Sequence, residues 1–335
     1  MQLSKEEIIA AFAELGYRLR PENPNIQWPK EQAYLANNWF TDDNLNYCLA
    51  NWQLALSQEK IETWLADVIP TQHPKMVGIV MAGNIPLVGL HDLLCVLAAG
   101  HKAKVKLSSN DEAMMKFVIR KLAEINPKFG KFIVVAEQLK NIDAVIATGS
   151  NNTARHFSYY FRNIPALIRH NRTSVAVLTG SETSQDLKNL ANDIFRYFGL
   201  GCRSVTKLFV PDKYDITQFL RETEGYSDLI NHNKYANNYT YHKAIFLMNS
   251  TRHLDTGYLL VKEDEHLHSP LACIFYQRYI MLDEVKNMLK TQEQDIQVVV
   301  SNHKEIDSIP FGTSQLTSLT DYADGVDTLQ FLTKL

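Results

Sequence analysis

The chain has 335 residues, 45% of them hydrophobic and 21% charged, with a formal net charge of -3. This is the composition of a globular protein long enough for a sizeable core and two domains, and its near-neutral balance argues against nucleic acid or an anionic membrane as the partner. Cys48, Cys95, Cys202 and Cys273 are scattered, with no C-x-x-C pair and no His/Cys cluster at ligand spacing, so neither a disulfide framework nor a metal is expected, and a reducing cytoplasm is the expected compartment.

The N-terminus, MQLSKEEIIAAFAELGYRL, carries a capping-box pattern in Ser4 and Glu7 and continues as an amphipathic helix rather than a signal peptide. No apolar run is long enough to span a bilayer. Residues 1–75 read as helices. In NLNYCLANWQLAL, for example, Leu45, Cys48, Leu49, Trp52 and Leu56 recur at helical spacing.

The pattern changes at Met76. MVGIVMAG reads as a buried strand, and PLVGLHDLLCVLAAG as a helix with Pro86 in its first turn and Gly100 at its C-cap. KAKVKL is a strand, NDEAMMKFVIRKLAEI a helix, KFIVVA and DAVIATGS strands, NNTARHFSYYF a helix and SVAVLTG a strand. SETSQDLKNLANDIFRYF reads as a helix with an apolar stripe of Leu187, Leu190, Ala191, Ile194, Phe195 and Phe198. Such alternation implies an α/β domain around a mostly parallel sheet. It blurs after about Tyr214, which fits a second domain.

The stretch YFGLGCRSVTKLFVP, from Tyr197 to Pro211, contains Gly199-x-Gly201. A dinucleotide glycine loop follows a strand and opens a helix, because the helix N-terminus holds the pyrophosphate. Here the glycines follow a helix, a strand comes next, and the third glycine is replaced by Ser204. A phosphate loop is excluded. Two readings stay open: a helix C-cap at Gly199 and Gly201 with Cys202 as a small buried residue, or an accessible nucleophile at Cys202.

The order of motifs resembles the aldehyde dehydrogenase superfamily, and most closely its acyl-CoA reductases of the LuxC type, known from the fatty-aldehyde-supplying step of bacterial bioluminescence. AGNIPLVGLHDLLCVLAAGHKAKVKLSS is similar to the superfamily's first strand–Asn–helix unit with its Lys-bearing strand. VIATGSNN, GLGCRSVTKLFVP and HSPLACIFY resemble the cofactor-facing turn, the nucleophile segment and the far end of the catalytic domain. The resemblance runs from about Met76 to Tyr276. It implies an aldehyde-dehydrogenase-like α/β fold: a helical N-terminal segment over 1–75, a Rossmann-like nucleotide-binding domain over 76–200, a smaller α/β catalytic domain over 201–310 and a C-terminal tail over 311–335.

By the same resemblance, Cys202 is the nucleophile, and Asn84 donates its side-chain amide to the oxyanion beside the Cys202 N–H. Cys202 is also expected to be the sole essential thiol, since Cys48 and Cys95 sit on apolar helical stripes and Cys273 in the apolar run LACIFY. Asn84 also admits a plainer role in the turn before Pro86. Lys106, Ser108 and Ser109 meet the cofactor's adenosine ribose, and Thr148, Gly149, Ser150 and Asn151 its phosphates. The superfamily's ribose-binding Glu aligns with His266, beside Glu265.

From Ala144 through Ser181 there is no Asp or Glu, so the carboxylate that activates water in hydrolytic aldehyde dehydrogenases is missing. IRHNRTSVAV offers Arg169, His170 and Asn171 instead, with His170 the one candidate substitute base. Arg155, Arg162, Arg169 and Arg172 in the same acid-free stretch suit a polyanionic ligand. His156, Phe157, Tyr159, Tyr160 and Phe161 read as packing. Ser109 stands three residues after Lys106, where NAD-preferring relatives often carry a Glu, which favours NADPH over NADH. Its plainer role is to cap the following helix, as Asn110 also can.

The expected activity is NADPH-dependent reduction of fatty acyl-CoA, with coenzyme A part of the substrate, to an aldehyde. Reduction of an acyl phosphate, CoA-acylating aldehyde oxidation, and a catalytically silent nucleotide-binding scaffold are the alternatives. The resemblance leaves room for a homo-oligomer and, by analogy, an acyl-activating partner enzyme.

Overall fold

The computed structural model describes residues 2–316 and 318–335 and divides into two compact units, Met1–Asn171 with Thr317–Leu335, and Arg172–Leu316. In the first unit, α1 (Lys5–Arg18) starts on the expected capping box, with Ser4 Oγ accepting from the Glu7 N–H and the Glu7 carboxylate accepting from the Ser4 N–H. α2 (Gln27–Ala36), α3 (Asp42–Ala55) and α4 (Gln58–Trp64) complete the helical segment.

β1 (Met76–Val80), α5 (Leu90–Ala98), β2 (Lys102–Lys106), α6 (Glu112–Ile125), α7 (Phe129–Phe132), β3 (Ile133–Val135), β4 (Ala144–Thr148), α8 (Asn151–Tyr160) and β5 (Ala166–Arg169) follow. The strands form one parallel sheet in the order β3-β2-β1-β4-β5, a doubly wound arrangement. Three local expectations change. α5 begins at Leu90 rather than near Pro86, because residues 84–89 form turns and Leu87 turns left-handed (φ 54). The first two residues of KFIVVA belong to the short α7. β5 was not anticipated; its four residues alternate in burial and end on an arginine, too short a pattern to stand out beside SVAVLTG.

The second unit contains β6 (Thr173–Val177), α9 (Ser184–Phe195), β7 (Val205–Pro211), α10 (Ile216–Glu222), α11 (Asn233–Met248), β8 (Leu254–Asp255), β9 (Leu260–Glu263), β10 (Cys273–Tyr279), α12 (Leu282–Thr291) and β11 (Ile296–Val300). Its sheet order is β11-β6-β7-β10-β9-β8, parallel except for the β8–β9 pair. The stripe of α9 packs as expected: Leu187, Leu190, Ala191, Ile194 and Phe195 join Leu208, Val210 and Ile274 in one core. Phe198 leaves the stripe, since α9 stops at Phe195. β6 and α9, assigned above to a nucleotide-binding domain over 76–200, thus fold with β7 and β10 in the second unit. The division falls after β5, the strand the periodicity did not reveal.

After Leu316 the chain rejoins the first unit, where α13 (Thr328–Thr333) packs on α5. Arg169, at the end of β5, is buried; it pairs with Asp92 of α5 at 2.6 Å and donates to Thr328 Oγ1 at 2.9 Å. It is therefore a structural cation rather than part of an anion site. The Trp64 indole N–H donates to the Tyr322 hydroxyl at 3.0 Å. His91 Nε2 lies 2.9 Å from the Leu319 carbonyl, and His101 Nε2 lies 3.0 Å from that of Leu332. The Lys75 N–H donates to His101 Nδ1 at 3.1 Å, so the neutral ring carries its proton on Nε2 and donates it to the tail.

Burial pushes the pKa of both imidazoles below the ordinary histidine range. The unfolded chain then binds more protons in acid, so this contribution to stability is complete above about pH 6.5 and is lost as pH falls through that value and the lower folded pKa. At His101 the added proton must take Nδ1 and breaks the Lys75 contact. We expect the urea midpoint of the wild type to fall between about pH 7.5 and about pH 5.5. A His101→Gln protein, weaker at the higher pH, should show a shallower fall; equal falls would contradict this account of the tail.

Candidate active site

In the first sheet, β1 has β2 on one side and β4 on the other, so the chain order reverses between β1 and β4. Open α/β sheets bind ligands beyond the carboxyl ends of their strands at such a point. Val80 at the end of β1 is in register with Lys106 of β2 and Ala147 of β4. The ends of these three strands and the segments that follow them carry Asn84; Ser108 and Ser109; and Thr148, Gly149, Ser150 and Asn151. One sheet edge thus gathers Asn84 and the cofactor-binding candidates that the sequence assigned to the first unit.

Close backbone approach shapes this edge. A Cβ added to Gly83 would lie 2.3 Å from Ser108 Oγ, so only glycine lets the β1 loop rest on the β2 loop. Ser108 is half-buried, and its Oγ also accepts from the Asn110 N–H at 3.4 Å. Lys106 and Ser109 are exposed. Lys104, two residues before Lys106 on β2, donates to the Lys140 carbonyl at 2.5 Å. Asp111 holds the N-cap position of α6, so neither Ser109 nor Asn110 caps that helix.

α8 opens directly after β4. Ser150 is its N-cap, accepting from the Thr153 N–H at 3.3 Å, and the first turn contains no acidic residue. Asn151 Oδ1 accepts from the Asn171 N–H at 3.0 Å, tying the helix start to the end of β5. This strand–turn–helix unit fits a pyrophosphate, for which backbone N–H groups and the helix dipole are the natural partners. Of the aromatic run expected to pack, Phe157 and Phe161 do, while Tyr159, Tyr160 and His156 are exposed. Arg162 stacks on Tyr159 at 4.7 Å.

In the second unit the glycine segment follows a helix end set by other residues. Tyr197 (φ 54), Phe198 (φ 58) and Gly199 (φ 77) are all left-handed and end α9 abruptly. The C-cap of α9 is Arg196, not Gly199; Gly199 instead packs against the last turn, where a Cβ would lie 3.2 Å from the Ile194 carbonyl oxygen. Cys202 nevertheless is exposed, whereas Cys48, Cys95 and Cys273 are buried. Burial also pushes the Cys95 thiol well up and the Cys273 thiol to about 12.

The Cys202 loop is anchored on several sides. The Ser204 N–H donates to the Gly201 carbonyl at 3.0 Å, and Ser174 Oγ donates to the Cys202 carbonyl at 3.0 Å. Arg203 Nε donates to the Ser314 carbonyl. The buried Asp193 of α9 accepts from the Gly312 and Ser314 N–H groups at 2.6 and 2.9 Å. Residues 312–314, in a tail without a recognisable motif, are therefore part of this loop's support. Arg172 is engaged with the Ile296 carbonyl at 3.1 Å.

Lys207, on β7, went unnoticed in the sequence although a lysine inside VTKLFVP is a signal. It is fully buried, and its ammonium donates to the backbone carbonyls of Asp264 and His266. Burial lowers its pKa to about 8, against the pull of Asp264 and Glu265. It holds the segment after β9 that bears Glu265 and His266. The His266 ring is exposed, with Nδ1 2.6 Å from Asp264 Oδ1. Partial burial opposes ionisation of Asp264, but hydrogen bonds from Lys262 and His266 hold it well below the usual carboxylate range.

Residues 69–305 match the family described as acyl-CoA reductase (LuxC). No curated protein matches the chain. Among solved structures, the chain is similar to an NAD-dependent aldehyde dehydrogenase from Sinorhizobium meliloti, with TM-score 0.66 and 12% identity over 90% of this chain and 71% of that one. It is also similar to aldehyde dehydrogenase 21 from Physcomitrella patens in complex with succinate, with TM-score 0.67 and 10% identity over 99% and 84%. A third is an aldehyde dehydrogenase from Bacillus cereus in an NAD+ complex, with TM-score 0.62 and 12% identity over 90% and 73%. The structural likeness establishes an aldehyde dehydrogenase fold, and with the family match it follows that the chain belongs to the LuxC family of acyl-CoA reductases, which are oxidoreductases.

Proposed function

We propose that this protein reduces a fatty acyl-CoA to the aldehyde with NADPH, through a thioester on Cys202. The observation that carries the reading is Cys202 itself, the one exposed cysteine, held on an anchored turn ahead of β7. Its thiolate attacks the thioester carbonyl carbon, the C–S bond to coenzyme A breaks, and an acyl group remains on sulfur. The Asn84 amide and the Cys202 N–H are donors to the oxyanion of the tetrahedral intermediate; one such donor is worth about 100-fold or more in rate. When bound, the reduced nicotinamide supplies the hydride that takes the acyl carbon to the aldehyde level. Collapse of the resulting thiohemiacetal frees the aldehyde and restores the Cys202 thiolate.

Lys106, Ser108 and Ser109 are assigned to the adenosine ribose and its 2'-phosphate, and Thr148, Gly149, Ser150 and Asn151 to the pyrophosphate. The exposed lysine, a serine released from capping and the acid-free start of α8 all suit those anions.

No carboxylate stands between Ala144 and Ser181 to activate water, and His170, at the end of the first unit, is the first residue to test as a substitute base. Aldehyde should therefore be the main product when acyl-CoA and excess NADPH are supplied, with free acid minor. Predominant free acid, abolished in His170→Ala, would reverse this reading. Cofactor choice is the second test. Ser109→Glu should shift the NADPH:NADH ratio of kcat/KM toward NADH by about ten- to a hundredfold, through like-charge repulsion of the 2'-phosphate and loss of a hydrogen bond. An unmodified protein that uses NADH equally well would contradict the assignment of Ser109.

A further inference from the structure

Asn84 lies between two grips, both from the loop that follows β2. At one end, Gly83 rests against Ser108, with no room for a Cβ. At the other, the Leu87 N–H donates to Asp111 Oδ2 at 2.8 Å. Leu87 is fully buried and left-handed (φ 54), a conformation leucine rarely adopts. The two grips are one unit, because the Asp111 N–H donates back to the Ser108 carbonyl at 3.1 Å. Asp111 is 2% exposed, and its Oδ1 has no hydrogen-bond partner among the described residues.

We infer that Asp111 is a positioning residue for Asn84: its carboxyl accepts the Leu87 N–H, holds that residue left-handed, and so fixes the short segment from which the Asn84 amide projects. The inference rests on the reading of Asn84 as an oxyanion donor. The carboxyl suits the role as a neutral acid. Burial pushes its pKa well above the usual carboxylate range, opposed by the Leu87 N–H. A neutral acid still accepts the N–H through one oxygen, and an amide does the same. Removing the acceptor leaves a buried N–H without a partner and frees Leu87 to return to an ordinary conformation.

The test is a double-mutant cycle on kcat. Asp111→Asn should stay within about threefold of the wild type, since its Oδ1 replaces the acceptor. Asp111→Ala should lose about tenfold or more, and Asn84→Ala about 100-fold. In the Asn84→Ala background, Asp111→Ala should cost less than about threefold further, because the group it positions is gone. Thermal unfolding of each protein separates these losses from failure to fold. If Asp111→Ala does not fold, Asp111→Thr, which fills the space but displaces the acceptor, takes its place in the cycle. An equal loss from Asp111→Ala in both backgrounds, or an Asp111→Asn protein as impaired as Asp111→Ala, would overturn the inference while leaving Asn84 as a donor. A fully active Asn84→Ala protein would remove the reading of Asn84, and the inference with it.

Discussion

Presentation of Cys202 depends on a strained turn. Tyr197 and Phe198 are bulky residues held left-handed in succession, at a cost of about 1–3 kcal/mol each. Burial offsets it. Both side chains are buried, and the Phe198 ring lies 4.5 Å from that of His232 and 6.1 Å from that of Tyr235. A fully buried aromatic side chain contributes roughly 1.5–3 kcal/mol, so the two rings balance the strain within that range. Gly199 completes the turn where a Cβ would crowd the Ile194 carbonyl in the last turn of α9. Without this reversal α9 would run on through Phe198, and the glycine-flanked turn would not expose its cysteine.

The first unit solves a different problem with the same means. Three parallel strands deliver their loops to one edge, and glycine packing at Gly83 sets how closely two of them approach. The arginine that ends β5, in register with Thr148, is tied to the fold. Arg169 is neutralised by Asp92, and the C-terminal segment is held by Thr328, Tyr322 and two tail carbonyls that face His91 and His101. A buried ion pair of this kind specifies how a segment docks more than it adds net stability, since removing either partner strands a charge.

Much of this was legible in the sequence. Capping at Ser4 and Glu7, the strands after Met76 and the stripe of α9 follow from local rules whose signals are strong. The missing elements had weak signals. β5 is a four-residue edge strand, and without it the unit boundary seemed to lie near residue 200 instead of after Asn171. Phe198 kept helical periodicity in a position where backbone strain, invisible in sequence, takes the chain elsewhere. Arginine composition alone could not separate Arg169, buried against Asp92 seventy-seven positions earlier, from a ligand-facing cation. Lys207 and Asp111 are recognisable only once burial and long-range backbone partners are known. The residues of the proposed site came instead from motif order, which records what the chemistry requires rather than what folding requires.

The central claim is that Cys202 carries the acyl group, and intact-protein mass spectrometry tests it most directly. After incubation with acyl-CoA in the absence of reduced nicotinamide, the wild type should gain the mass of one acyl group. Peptide mapping should locate it on Cys202, and hydroxylamine should remove it as expected of a thioester. An unmodified protein that still forms aldehyde when NADPH is supplied, or an acyl adduct that persists in Cys202→Ala, would contradict the account.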